Sequence, residues 1–564
     1  MTNLMEVAKT QIIQLVKQAA KSAAQSDKLP EISLGDITIE IPREKQHGDF
    51  ATNVAMQMTK QAKKPPRIIA QALVESMDMT DTFVEKVEIA GPGFINFYFK
   101  KAWLYEVIPA IDKYKQDYGK VDLGKNQKVM VEFVSANPTG PMHMGNARGG
   151  ALGDCLASVL SWAGYDVTRE FYVNDAGNQI EKFGKSLEAR YIQLLQGEDA
   201  IDFPEDGYHG EDIKERAQEF IQMHGDAYIS AETEARKKAL VAYALEKNIE
   251  SLKSDLRRYG ITYDNWFRES ELYENKEVQV TIDYLKEKGY TYEQEDALWF
   301  KSSAFGAEKD EVLVRNNGIP TYFAADIAYH RNKLVTRNFD KVIDIWGADH
   351  HGHVARMKGA MQAIGCNPDK LEVIIMQLVR LLRNGEVARM SKRTGKAVTL
   401  SDLLEETSID AARFFFNMRQ APSHLDFDLD LAVSQSDENP VYYVQYAHAR
   451  ICSIIRVLEE EGYYVPSLDI VDLTLLTKDE EIALLKQMAQ FPEEIKYAAI
   501  TMEPSKITRY VMDMAALFHS FYNACRVKCE DEKLMLARLK LVDSVRIVIQ
   551  NALSILRVSA PEKM

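Results

Sequence analysis

The chain is 564 residues long and carries a formal net charge of −15. At about 100–200 residues per domain, that length calls for three or four domains rather than one core. The acidic balance excludes indiscriminate binding to phosphate backbones while leaving room for a local basic patch; with 46% apolar and 27% charged residues, the composition excludes a disordered chain.

The opening segment MTNLMEVAKTQIIQLVKQAAKSA repeats apolar Ile12, Ile13, Val16, Ala19 and Ala20 at helical spacing. It predicts a first helix and lacks the layout of a secretory signal. A strand is expected in SLGDITIEIP, then a polar turn around His47-Gly48-Asp49 and a helical stretch from Ala51 to Met77. Two strands follow in VEKVEIAGPGFINFYF, broken at Gly91-Pro92-Gly93. Residues 1–115 thus read as a small α+β unit, and the polar segment DKYKQDYGKVDLGKNQK, with its two glycines, marks a boundary.

KVMVEFV (128–134) has strand length. A Gly/Pro-rich loop follows it, then a helix from about Ala147 to Trp162, which is one half of a parallel α/β unit. Tyr165 to Tyr172 begins the next strand. Residues 180–258 are charged and helical in period and read as an insertion. The α/β character returns with DALWF, EVLVRNNGIPTYFAADIAYH, KVIDIWGADH and EVIIMQLV. From about Ser408 the pattern is almost purely helical, with Val444, Ala447, Ile451, Ile454 and Leu458 on one face. No run of about 18 apolar residues exists, so no transmembrane helix is expected. The five scattered cysteines read as reduced thiols of a cytosolic protein.

Three segments carry chemistry. The first is Ala136-Asn137-Pro138-Thr139-Gly140-Pro141-Met142-His143-Met144-Gly145-Asn146, between a buried strand and a helix start, where α/β sheets bind ligands and free helix N–H groups favour phosphate. Gly145 would let a nucleotide approach the backbone, and His143 would face the phosphates; an ordinary strand–helix loop with an incidental histidine is the alternative. The second gathers Arg380, Arg383, Arg389, Lys392, Arg393 and Lys396 against Glu386 alone, bracketed by Gly385 and Gly395. A mobile cationic loop suits charge building on departing pyrophosphate; the alternative is a solvated basic loop. The third is Trp346-Gly347-Ala348-Asp349-His350-His351-Gly352-His353. No cysteine or second histidine cluster stands nearby to complete a metal site, so a nucleotide and substrate pocket is favoured, with Asp349 accepting from ribose hydroxyls. There is no G-x-G-x-x-G, and Gly184-Lys185-Ser186 lacks a P-loop's upstream glycine because position 179 is Gln.

HMGN followed far downstream by RMSKR resembles the HIGH and KMSKS motifs of class I aminoacyl-tRNA synthetases. The fuller segments VEFVSANPTGPMHMGNARGGALGD, FYVNDAGNQI, MSKRTGKAVTL, NPVYYVQYAHARI, FHSFYNACRV and RVSAPEKM are similar to the arginyl-tRNA synthetase family of bacterial type, as are KQHGDFATNVA and GPGFINF in the N-terminal unit. Essentially the whole chain is covered. Asn146 stands where HIGH has its second histidine, and Arg389 and Arg393 replace the first lysine and last serine of KMSKS.

The resemblance implies an α/β fold: a Rossmann-like parallel-sheet catalytic domain at 116–407 with the helical insertion, an α+β N-terminal domain at 1–115 that contacts tRNA, and an all-helical anticodon-binding domain at 408–564. It implies that His143, Asn146 and Lys392 are catalytic, and that Pro138, Gly140, His143, Gly145, Asn146, Gly347, Asp349, Met390, Ser391 and Lys392 bind ATP. Glu132, Ser135, Asn137, His143, Glu269, Tyr322, Asp326 and His350 are implied to bind arginine. Glu132 and Asn137 would hold the α-amino group, Tyr322 and Asp326 would receive the guanidinium, and Glu269 would be a further acidic contact. ATP, with Mg2+ carried on it, L-arginine and tRNA(Arg) are the implied partners of a cytoplasmic monomer, with no resident cofactor, metal site or membrane contact. Two rivals are a small-molecule adenylyltransferase, which would not need the helical C-terminal third, and a non-catalytic RNA-binding relative, against which His143, Lys392, Tyr322 and Asp326 argue.

Overall fold

A computed structural model describes residues 3–42, 44–388 and 398–564. The opening helix spans Leu4–Gln25, capped by Asn3, whose side chain accepts from the Met5 and Glu6 N–H groups. A four-stranded antiparallel sheet follows, with β1 (Ile39–Glu40), β2 (Phe50–Thr52), β3 (Val84–Ala90) and β4 (Phe94–Phe99) in the order β1-β2-β4-β3. Two expectations need correction. SLGDITIEIP forms only the two-residue β1, and the expected helix from Ala51 begins as β2. The helical stretch is also broken at Lys63, which caps its helix at φ +50°, and Lys64, the residue before Pro65, is disfavoured from resuming it. The polar boundary segment is docked rather than loose: Tyr118 is buried, its hydroxyl donates to the Met488 carbonyl at 2.9 Å, and Asn551 donates to the carbonyls of Lys115 and Tyr118.

The central sheet is parallel, in the order β12-β11-β5-β6-β7, with β5 Lys128–Glu132, β6 Asp166–Val173, β7 Asn265–Arg268, β11 Lys341–Gly347 and β12 Leu371–Met376. β5 is buried along most of its length, as a strand covered on both faces must be. The chain runs from β5 outward through β6 and β7, then returns to β11 on the other side of β5. β5 and β11 are therefore adjacent strands whose following loops diverge. This is a topological switch point, where ligands bind beyond the carboxyl ends of the strands. Between β6 and β7 lie helices at Asn178–Gln196, Glu211–His224 and Thr233–Arg258, with a core of their own. DALWF and EVLV join neither edge of this sheet. They form β9 (Ala297–Phe300) and β10 (Glu311–Val314) of a separate antiparallel sheet with β8 (Thr291–Gln294).

Long helices at Pro440–Glu460, Asp479–Thr501, Ser505–Ala524 and Glu532–Ile555 build the C-terminal bundle. The helical pattern after Ser408 is interrupted once. Leu425–Asp428 forms β15, pairing in parallel with β13 (Val379–Arg383), which turns into β14 (Glu386–Val387). LDFD alternates buried and exposed residues like a strand, and its four-residue length hid it among helices. Buried Arg413 joins the layers: it pairs with Asp154 and donates to the carbonyls of Tyr259 and Leu556. Among the described residues no helix is long and apolar enough to cross a membrane.

Candidate active site

Two cavities open at the switch point, of about 440 and 480 Å³. The first is lined by Glu132 at the end of β5, by Asp344 and Trp346 of β11, and by Asp349, His350 and His353 just beyond it. Tyr172, Asn174, Glu269, Tyr322 and Asp326 form part of its wall. Thr321 caps the helix Tyr322–Arg331, its side chain accepting from the Ala324 N–H, so Tyr322 and Asp326 fall one turn apart on one face, as their spacing predicts. The Tyr322 hydroxyl accepts from the Asn178 N–H at 2.9 Å. Gly177 permits this: its φ is +76°, and a Cβ there would lie 3.0 Å from the phenol oxygen.

Glu269 begins the helix Glu269–Glu274 and is 2% exposed. In the orientation that satisfies its neighbours, the Asn174 amide donates to Glu269 Oε2 at 3.1 Å. Oε1 is buried without a hydrogen-bond partner. Burial pushes the carboxyl up to about 7, with the Tyr172 hydroxyl pulling the other way. A buried acceptor left open costs about 1–3 kcal/mol, so this wall of the cavity favours a donor that brings charge.

Under the cavity lies a chain of alternating charges. Buried Lys333 reaches both Glu132, at 2.5 Å, and Asp344, at 2.9 Å. His330 Nε2 lies 2.8 Å from Asp344 Oδ2, and His353 Nε2 lies 2.6 Å from Asp326 Oδ2. Burial alone would raise the Asp326 carboxyl, but the hydrogen bonds of His330 and His353 outweigh it and hold the group well below the usual carboxylate range. For His330, burial and Lys333 both work against the charged form. Asp326 and Asp344 win, raising it to about 9. Burial raises Glu132 despite Lys333, and Ser135 Oγ donates to Glu132 Oε1 at 2.9 Å.

The second cavity is lined by Ser135, Asn137, Gly140, His143 and Asn146 of the motif loop. Ser135 therefore stands between the cavities, lining one and bonding to Glu132 in the other. Val134 and Ser135 hold φ of +70° and +41°, a strain of about 1–3 kcal/mol per residue of the kind that collects at functional sites. The helix after the loop starts at Met144, three residues before the expected Ala147, with His143 as its N-cap residue. Space is open around Gly145.

Some expected residues are placed differently. Pro138 is buried outside the lining, its carbonyl accepting from Asn248 of the insertion at 2.9 Å. Gly347 ends β11 and lines neither cavity, and Asp349 and His350, both largely exposed, line the first. The basic segment is less cationic than its sequence: Arg380 forks onto Asp426 at 2.7 and 2.9 Å, and Arg383 pairs with Glu406. Gly385 does not open a loop, since Asn384 and Gly385, at φ +51° and +76°, close the β13–β14 hairpin. Met390, Ser391 and Lys392 lie outside the described residues. Among the described residues no group of three or more His, Cys, Asp or Glu side chains could hold a metal ion.

Sequence reasoning missed the supporting residues His330, Lys333, Asp344 and His353. His330 could have been found one turn beyond Asp326, and His353 in the histidine triplet. It also missed Tyr208, Gly210 and Asp212, by which the insertion walls the second cavity; no local pattern signals them.

Comparison with known proteins gives consistent likenesses. Family profiles match residues 10–99 ("Arginyl tRNA synthetase N terminal domain"), 108–423 ("tRNA synthetases class I (R), catalytic domain") and 444–564 ("DALR anticodon binding domain"). The arginine–tRNA ligases of Acetivibrio thermocellus and Ruminiclostridium cellulolyticum are 62% and 60% identical, each over 100% of both chains. Among solved structures, the arginyl-tRNA synthetase of Thermus thermophilus superposes with a TM-score of 0.74 at 22% identity, over 98% of this chain and 100% of that one. That of Plasmodium falciparum gives 0.73 at 19%, over 99% of both. At those identities the likeness is one of fold.

Proposed function

The chain belongs to the arginyl-tRNA synthetase family, and from that premise we propose how its residues divide the work. The reaction ligates arginine to tRNA and uses ATP. In our reading the first cavity takes the arginine side chain and the second takes ATP. One observation carries this: Glu269 Oε1, buried without a partner, shares a cavity with Asp326 and Tyr322. A guanidinium offers a planar fork of donors and a charge, which together answer a buried carboxylate better than any neutral side chain does. Glu132 and Asn137 hold the α-amino group, with Ser135 orienting Glu132, and His350 closes the outer rim.

The α-carboxylate oxygen of arginine attacks the α-phosphorus of ATP. The bond from that phosphorus to the β-phosphate bridging oxygen breaks, giving arginyl-adenylate and pyrophosphate. His143 and Asn146, with Lys392 and Ser391 from the second motif, meet the charge that gathers on pyrophosphate, and Met390 packs against ATP. Gly140 and Gly145 leave room for the phosphates, Asp349 accepts from the ribose, and Pro138 and Gly347 lie outside direct contact. Mg2+ enters on the triphosphate. A ribose hydroxyl at the tRNA 3′ end then attacks the arginyl carbonyl and AMP leaves.

We assign tRNA(Arg) contacts to residues 1–115, activation to 116–407 extended by β15, and anticodon binding to the helices of 408–564, in a cytoplasmic monomer. The family likeness further implies that activation waits for bound tRNA. Pyrophosphate exchange with each amino acid, run with and without tRNA(Arg), tests the scheme. Arginine alone should support exchange, and only with tRNA. Exchange with lysine of comparable efficiency would overturn the pocket reading.

A further inference from the structure

Of the three histidines in Asp349-His350-His351-Gly352-His353, the scheme above employs His350, yet His353 is the one held against Asp326. It lies in the first turn of the helix His351–Ala363, packed on the rings of Trp346 and Phe323 at 5.5 and 5.8 Å. Its Nε2 is 2.6 Å from Asp326 Oδ2. A carboxylate only accepts, so Nε2 carries the hydrogen. From the other side, His330 brings Nδ1 to 3.2 Å from Asp326 Oδ1 and 2.9 Å from the Asp326 carbonyl, while its Nε2 meets Asp344. Both His330 nitrogens face acceptors, so both carry hydrogens. The two oxygens of Asp326 are therefore gripped from two different elements.

A carboxylate on a single bond turns in a broad well, whereas paired bonds to a guanidinium require its two oxygens to lie in the plane of the fork. We propose that His353, backed by His330, is a positioning residue for arginine selectivity, fixing the plane of the Asp326 carboxylate so that its outward lone pairs match a planar fork rather than a point charge. The proposal rests on the first cavity being the guanidinium site.

The experiment is steady-state aminoacylation by the full chain, titrating arginine and ATP separately, in wild type, His353→Ala, His353→Gln and Glu269→Gln. Losing one charge-assisted bond, His353→Ala should raise KM for arginine about tenfold and leave kcat and KM for ATP within about twofold. It should also narrow the preference for arginine over lysine. His353→Gln, whose amide N–H can reach toward Oδ2, should recover most of the loss. If alanine prevents folding, His353→Asn, polar but too short to reach Oδ2, replaces it. A fall in kcat shared by both substrates, or glutamine no better than alanine, overturns the proposal. Glu269→Gln separates the two failures. If it raises KM for arginine and His353→Ala does not, the positioning role is wrong and the pocket stands; if neither variant does, both fall.

Discussion

Met144 donates its main-chain N–H to the carbonyl of Val398 at 3.1 Å, and the bond is returned by Leu400 N–H to the Met142 carbonyl at 2.9 Å. His143 and Thr399 thus form an antiparallel bridge across the start of the motif helix. Val398 and Thr399, which follow the second motif, are thus stitched to the start of the first motif's helix, and in the scheme above Lys392 meets the same pyrophosphate charge as His143. Lys392→Ala should therefore lower the rate of arginyl-adenylate formation about 100–1,000-fold, the usual cost of losing a preorganised donor, with KM for arginine changing far less. Single-turnover activation assays check this, and a wild-type rate would remove Lys392 from the mechanism.

Arg148, 1% exposed on the motif helix, donates to the carbonyls of Gln377, Gln420 and Ser423 at 2.7–2.9 Å. It ties that helix to the segments that lead into β13 and β15. Arg148→Met should take this donor from three partly buried carbonyls, at about 0.5–1.5 kcal/mol each. Its denaturant midpoint should fall well below that of wild type, and an unchanged midpoint would mean that water replaces the guanidinium.

Glu269 sets a conflict between stability and function. Its carboxyl sits at about 7 in the fold, against an ordinary 4.5, because burial outweighs the Tyr172 hydroxyl, with Asp175 and Asp326 adding to the rise. A raised pKa contributes stability that is fully present below pH 4.5 and is lost as pH rises through 7. Glu269→Gln, which mimics the protonated form, should match wild type near pH 4.5 and exceed it at pH 8 by about 1–3 kcal/mol. Unfolding curves at the two pH values test the sign. In the proposed scheme the guanidinium pairs with the ionised form, so KM for arginine should rise in wild type below pH 7, and a KM flat from pH 8 to 6 would contradict this.

The sequence was most legible where a local pattern has one physical solution. The Thr321 cap put Tyr322 and Asp326 on one face, and the run at Lys128–Glu132 before a Gly/Pro loop located the switch point. Asn384-Gly385 was equally readable as a hairpin turn. What stayed hidden depends on long-range pairing. Asp426 and Glu406 neutralise Arg380 and Arg383, β15 is a strand because β13 is beside it, and Lys333 is recognisable as a buried cation only when Glu132 and Asp344 converge on it.

An arginine titration of Asp326→Asn under saturating ATP and tRNA tests most directly whether the cavity between β5 and β11 recognises a guanidinium through Asp326. The change keeps the shape but removes the charge and one acceptor. The half-saturating arginine concentration should rise about 10–100-fold, with the ATP titration nearly unchanged. Arginine curves that overlay those of wild type would contradict the account.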